Sequence, residues 1–264
     1  MLTNQMIFNI FVRSKDQGNH LQPTFMNLVI DYGNSRIKTG LFDQATLAEQ
    51  FSFTGTPAFY EWLKQAKFEN VIVSSVASPT DRVLEKINCL GKKLVMDQSL
   101  PLPITIQYET PHTLGVDRIA AACGALDVMP GKCCLVIDMG TCINYEFVDD
   151  RARYHGGAIS PGIKMRFASM HDYTARLPLV KFNGNAPLMG GNTEHCMQGG
   201  VLYGVLGELE GVMERYKKIY PTMGVILCGG DAALFENKLK HPIFVAPNLV
   251  LSGLNRILLH NVNL

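Results

Sequence analysis

Two acids in this chain each close an apolar run and stand two residues before a glycine. The segments are Leu28-Val29-Ile30-Asp31-Tyr32-Gly33 and Leu135-Val136-Ile137-Asp138-Met139-Gly140. A small polar residue follows each glycine, Asn34 in the first copy and Thr141 in the second, and then a second extended run begins. The pattern predicts a buried strand, a tight turn and a returning strand, with alternation continuing through Ile37, Thr39 and Leu41. An acid where a strand leaves the core can hold a hydrated cation against phosphates. A glycine beside it lets backbone N–H groups approach a ligand with no Cβ in the way. Two such hairpins facing each other across a cleft could hold a metal-bound polyphosphate. The plainer alternative is an Asp that caps its own turn, since Asp-x-Gly turns are common; the duplication favours chemistry.

A second constellation is Gly115-Val116-Asp117-Arg118, an acid and a base side by side at the start of an otherwise apolar helix. One reading is an ion pair at a helix N-terminus, where the acid suits the dipole. The other is a general base beside an anion clamp, Asp117 taking a hydroxyl proton and Arg118 binding a carboxylate or phosphate with its planar fork. Spacing leaves both open, because structural ion pairs mimic catalytic ones. Gly156–Gly162 and Gly229-Gly230-Asp231-Ala232 are glycine-rich and suit either phosphate cradles or tight turns. Thr193, before a long helix, reads most simply as an N-cap or first-turn residue. Tyr108 is either a strand residue or a hydrogen-bonding pocket wall. His155, His171 and His195 are scattered and read as ordinary polar residues. Common nucleotide and zinc signatures are missing: Gly131-Lys132-Cys133 lacks the Ser/Thr and upstream glycine of a P-loop, and no His-Glu-x-x-His occurs.

The elements that must position these residues alternate between strand and helix, which argues an α/β class. Helices are expected at Pro57–Phe68, Asp81–Leu90, Leu114–Leu126, Ile163–Met170 and Asn192–Tyr216. Strands are expected at Val71–Val76, Leu94–Met96 and Val225–Cys228, and an extended segment at Ile104–Tyr108. At 264 residues the chain exceeds a usual single domain, so two lobes are expected, residues 26–113 and 114–264, with the Leu114–Leu126 helix at the seam. Residues 1–25 carry an apolar stretch followed by a polar one, the reverse of a secretory signal, and are expected to be a disordered extension. Apolar content of 47% and a net charge of +1 describe an ordinary globular protein and give no reason to expect a nucleic-acid partner. No apolar run approaches the roughly 18 residues that span a bilayer. Seven cysteines with no Cys-x-x-Cys suggest free thiols in a reducing cytoplasm.

In their order and spacing, five segments resemble the type III pantothenate kinases, members of the actin/hexokinase/Hsp70-like ATPase superfamily. They are Asp31-Tyr32-Gly33-Asn34-Ser35-Arg36-Ile37-Lys38, Gly115-Val116-Asp117-Arg118, Asp138-Met139-Gly140-Thr141, Gly157–Gly162 and Gly229-Gly230-Asp231-Ala232. The resemblance runs from Asn27 to the C-terminus. It implies a duplicated actin-like (ribonuclease H-like) ATPase fold, with two lobes around a nucleotide cleft. It implies ATP-dependent phosphorylation of (R)-pantothenate to 4'-phosphopantothenate, the first step of coenzyme A synthesis, by a cytoplasmic homodimer. Asp31 through Lys38 would form the first phosphate hairpin, with Asp31 on the magnesium side of ATP, and Thr141 the second phosphate contact. Asp117 would be the general base. Tyr108 and Gly115 through Arg118 would line the pantothenate pocket, and Thr193 would reach pantothenate across a dimer interface. Asp138 would hold an activating monovalent cation, potassium or ammonium. Ser35 stands where the family usually has Thr, Cys142 where Ala is typical, and Glu146 where Asp is common. None of these departures removes a group that the mechanism needs. The rival readings are a related non-catalytic accessory or regulatory factor, and a kinase of the same superfamily with another small substrate. The intact Asp31, Asp117 and Asp138 set argues against the first.

Overall fold

A computed structural model describes residues 12–15, 22–33, 36–64, 66–75 and 80–264. The elements, in chain order, are β1 (Val12–Lys15), β2 (Gln22–Phe25), β3 (Asn27–Tyr32), β4 (Ile37–Asp43), β5 (Thr46–Phe53), α1 (Thr56–Leu63), β6 (Lys67–Phe68) and β7 (Val71–Ser75). Next come α2 (Asp81–Leu84), β8 (Asn88–Cys89), β9 (Lys93–Val95), β10 (Thr105–Ile106), α3 (Val116–Val128), β11 (Cys134–Met139), β12 (Cys142–Val148) and β13 (Arg153–Pro161). The chain ends with α4 (Ile163–Asp172), α5 (Thr193–Ile219), β14 (Gly224–Cys228), β15 (Phe244–Val245) and α6 (Leu249–Val262).

Both main sheets follow one plan. The first has the order β5-β4-β3-β7-β9 and the second β13-β12-β11-β14-β15, with β10 added at its β13 edge. In each, three consecutive strands run antiparallel, and the first of them then pairs in parallel with a strand reached through a helix-containing connection. β3 and β11, central and covered on both faces, are continuous apolar runs because both pleat surfaces must be apolar there. The duplication read from the two Asp-x-Gly strings is thus a duplication of whole sheets.

Chain contacts divide the molecule into two compact units: Met1–Thr105 with Glu109–Gly124 and Val250–Leu264, and Ile106–Tyr108 with Ala125–Leu249. The units interleave, so a single cut after residue 113 does not describe them; α3 belongs to both, and the chain returns to the first unit at its end. In the first unit, Phe59 and Leu63 of α1 are fully buried on the β3–β5 sheet, and Phe51, Phe53, Trp62 and Phe68 join them in an aromatic cluster. Each such side chain contributes about 1.5–3 kcal/mol by burial. α6 is tied in by polar bonds, Asn255 Nδ2 donating to Gln44 O (2.8 Å) and Asn261 Nδ2 to Pro101 O (2.9 Å). In the second unit α5 buries Met197, Val201, Val205, Leu209 and Met213, a four-residue spacing that marks one helical stripe. Among the described residues no helix is long and apolar enough to cross a membrane.

Several expectations change. Within the segment expected to be disordered, β1 and β2 form an antiparallel pair, Val12 opposite Phe25; residues 1–11 and 16–21 lie outside the described residues. The helix expected over Asp81–Leu90 ends at Leu84, and the chain turns into β8. The glycine-rich stretch expected to be a loop is mostly strand β13, because its glycines lie against a neighbouring strand rather than in a turn: a Cβ on Gly157 would sit 1.8 Å from the Tyr145 carbonyl oxygen.

Candidate functional site

The first hairpin places Asp31 near the end of β3, directly opposite Lys38 on β4 and beside Ser74 on β7. The Gly33 N–H donates to the Arg36 carbonyl at 3.1 Å, which closes the turn. Arg36 and Lys38 are exposed, while Ile37 between them is buried and anchors the returning strand. The Tyr32 ring lies edge-on to Phe59, 6.4 Å between centroids, so its ring packs within the unit's own aromatic cluster. Asn34 and Ser35 lie outside the described residues.

The second hairpin repeats the register with different partners. Asp138 stands opposite Asn144 on β12 and pairs with Cys228 on β14. Gly229 has φ +90°, and a Cβ there would fall 2.4 Å from Asp138 Oδ1 and 2.5 Å from the Met139 carbonyl oxygen. Only glycine fits both that backbone region and that space. The Asp231 N–H donates to the same Met139 carbonyl at 3.0 Å, so the glycine loop after β14 is fastened to the end of β11. Burial pushes the Asp231 carboxyl above the usual carboxylate range, with Lys164 opposing. The turn itself is closed by the Gly140 N–H donating to the Cys142 carbonyl (2.9 Å), and Thr141 at its tip is exposed. Gly162 braces it: its N–H donates to the Thr141 carbonyl at 3.0 Å, and a Cβ on it would lie 2.3 Å from the Gly140 carbonyl oxygen.

Asp117 sits in the first turn of α3, half-buried, and its Oδ1 accepts from the Arg118 backbone N–H at 2.9 Å. Arg118 is buried. Gly115 leaves room for this arrangement, since a Cβ there would come within 2.6 Å of Asp117 Oδ1. Val116, between them, is half-buried at the helix start. Tyr108 is held by the second unit. Its ring lies against Gly156, where a Cβ would be 3.0 Å away and φ is +89°, and stands 6.2 Å from the Tyr154 ring. The Tyr154 hydroxyl donates at 2.5 Å to Glu146, a carboxylate with no exposure. Thr193 is exposed at the first position of α5; the cap is Asn192, whose side chain accepts from the His195 N–H at 2.8 Å. The cap role considered for Thr193 therefore belongs to its neighbour, and the threonine hydroxyl has no capping duty. His155 is a partner of Asp149, Nε2 to Oδ2 at 2.8 Å.

Two groupings of side chains are not foreseen from the sequence, although Glu146 stands out there as a departure from the family pattern. Glu146 with Tyr154 lies behind Tyr108, and Glu208 on α5 gathers Tyr145, Ser160 and Arg166. No local signal marks either, because the partners come from separate elements.

A duplicated sheet with an acid and a glycine turn at the same register of each half is the architecture of the actin-like ATPase fold. Two solved structures share this fold. One is a Campylobacter jejuni protein described as a Baf family transcriptional activator, at 21% identity and TM-score 0.60 over 90% of this chain and 100% of that one. The other is the ethanolamine utilization protein EutJ of Carboxydothermus hydrogenoformans, at 12% identity and TM-score 0.54 over 96% and 99%. Within that class the profile of the type III pantothenate kinases matches residues 27–215. The type III pantothenate kinase of Cytophaga hutchinsonii is 43% identical over 90% of this chain and 100% of its own length, and that of a Bacteroides fragilis strain 44% over 89% and 98%. The chain belongs to the type III pantothenate kinase family.

Proposed function

We propose that this chain transfers the γ-phosphoryl group of ATP to the primary hydroxyl of (R)-pantothenate with the residues placed above. The observation that carries the reading is the pair of hairpins, each with an acid and a glycine turn at one register, together with Asp117 at the head of α3. Phosphoryl transfer is mostly positioning plus charge neutralisation. The Asp31–Lys38 hairpin and Thr141 bind the ATP phosphates. Asp117 accepts the proton of the attacking hydroxyl, while Arg118 and Tyr108 orient pantothenate. Asp31 would hold magnesium and Asp138 a potassium or ammonium ion, which would supply positive charge at the phosphates. The second site suits a cation: Asn144 Oδ1, opposite Asp138, is buried with no hydrogen-bond partner, and glycine at 229 keeps the space beside Asp138 free of a Cβ.

The working form is a cytoplasmic homodimer that shares its sites through Thr193. Support comes from α5, whose outer face exposes Gly200, Gly204 and Gly207, where an added Cβ would meet nothing within 4 Å. Each glycine costs the isolated helix about 1 kcal/mol relative to alanine, which close approach of an equivalent helix offsets. Val201 and Val205, between these glycines in sequence, point into the unit's own core. Of the exposed large apolar side chains among the described residues, nine come from this unit, Ile159, Met165, Leu188 and Tyr203 among them, against Leu90 and Leu264 from the other. A coupled ADP-release assay with pantothenate, with and without potassium at constant ionic strength, tests the reading. ADP release that does not depend on pantothenate refutes it.

A further inference from the structure

The side chain of Glu208 is the meeting point of three elements. Its Oε1 accepts from the Tyr145 hydroxyl of β12 at 2.7 Å and from the Ser160 hydroxyl of β13 at 2.5 Å, and its Oε2 pairs with Arg166 of α4. Arg166 in turn donates from Nε to the Pro161 carbonyl at 2.8 Å, and its N–H donates to the Gly162 carbonyl at 3.0 Å. Ser160, Pro161 and Gly162 form the corner where β13 becomes α4. That corner is the brace of the Gly140-Thr141 turn, through the Gly162 N–H and the missing Cβ. Burial favours a neutral Glu208, but the donors on Ser160, Arg166 and Tyr145 outweigh it and hold the carboxyl below its usual range. A charged acceptor of three donors is a rigid one.

We propose that Glu208 is a positioning residue for the nucleotide-phosphate turn, acting through Ser160 and Arg166 on the corner that braces Thr141. The proposal rests on the reading of Thr141 as a phosphate contact. It assigns α5 a second task besides its outer face, because the helix that carries Thr193 at its start also carries the group that sets the turn. Glu208 touches neither substrate in this scheme. Its loss lets the corner relax and moves the Thr141 hydroxyl and the turn N–H groups away from the phosphates.

The test compares Glu208→Gln and Ser160→Ala with wild type. The Gln variant keeps size and one acceptor oxygen but turns an amide toward the Arg166 guanidinium; the Ala variant removes one donor from the corner. Steady-state kinetics are run over ATP and over pantothenate, and the affinity for the non-hydrolysable ATP analogue AMP-PNP with magnesium is measured by calorimetry without pantothenate. The expected result for Glu208→Gln is a roughly 10–100-fold rise in KM for ATP and in the AMP-PNP Kd, the scale set by small misplacements of a binding group. The KM for pantothenate changes less than about two-fold, and Ser160→Ala moves the same quantities in the same direction by less. Equal rises in both KM values, or a fall in kcat alone, would show a merely structural role and overturn the proposal, as would unchanged nucleotide affinity. If Glu208→Gln does not fold, Ser160→Ala decides by the same split. If the wild type binds AMP-PNP but does not phosphorylate pantothenate, the substrate reading falls, and the change in AMP-PNP affinity alone decides Glu208.

Discussion

Replacing Gly162 with alanine probes the second phosphate turn through a single methyl group. Gly162 has φ −70° and ψ 173°, a conformation open to any L-residue, so no backbone strain opposes the change. Restricting the unfolded chain would by itself stabilise the variant by about 0.4–1 kcal/mol. The opposing effect is steric. The new Cβ would meet the Gly140 carbonyl oxygen at 2.3 Å, the Thr141 carbonyl oxygen at 2.5 Å and the Thr141 carbonyl carbon at 2.9 Å. All three are backbone atoms, so no side chain can swing aside, and the turn must move by more than half an ångström. Overpacking of this kind costs about 1–3 kcal/mol, and weakening the Gly162–Thr141 hydrogen bond about 1 more. The net destabilisation is then roughly 1–3 kcal/mol, a fall in Tm of about 2–12 °C for a chain of this size. The effect on activity is larger, because the moving atoms belong to the turn that carries Thr141. kcat/KM for ATP should fall roughly 10–100-fold. Differential scanning fluorimetry and the coupled ADP assay measure the two quantities on one preparation. A variant with wild-type kcat/KM for ATP, whatever its Tm, would refute the placement of Thr141 in nucleotide binding.

Three further predictions follow from the proposed chemistry. Asp117→Asn keeps the size of the side chain and its bond to the Arg118 N–H but cannot accept a proton, so kcat should drop roughly 10²–10⁴-fold with Tm nearly unchanged; near wild-type turnover would return Asp117 to an ion-pair role. If Asp138 holds a monovalent cation, potassium should raise activity over sodium at matched ionic strength and Asp138→Asn should flatten that response; equal rates of the wild type in the two salts would leave Asp138 as a turn residue. Co-expressing an inactive Asp117→Asn chain with an inactive Thr193→Arg chain should restore activity, since one site of the heterodimer then holds both native groups. A heterodimer no more active than its parents, or an active monomer in sedimentation, would sink the shared site.

Much of this was legible because it is written in local pattern. Continuous apolar runs ending in Asp-x-Gly announced β3 and β11, and their repetition announced the paired sheets. The glycines of β13 misled, since a residue chosen for close approach to a neighbouring strand looks in sequence like one chosen for a turn. α6 carries no chemistry-bearing motif, and its place in the first unit comes from contacts far away in sequence, among them Asn255 and Asn261 reaching distant carbonyls. The same holds for the site. Asp31, Asp117 and Asp138 stand beside their own turns or helix starts and could be picked out. Glu208 and Glu146 act on residues of other elements, and nothing adjacent to them in sequence signals it.

The two sheets differ at one telling position. Directly paired residues on antiparallel strands project from the same face, and there the first half sets Lys38 against Asp31 while the second sets Asn144 against Asp138. The same position in the two copies has therefore taken different facing groups. In one copy the facing residue is a lysine, a charge that the chain itself carries. In the other the facing group is a neutral amide. If Asp138 holds the proposed monovalent cation, a duplicated scaffold that diverged in this way would do more than repeat a binding loop: it would make the catalyst a reader of its ionic environment, with its output tied to the salt around it as well as to the supply of its substrates.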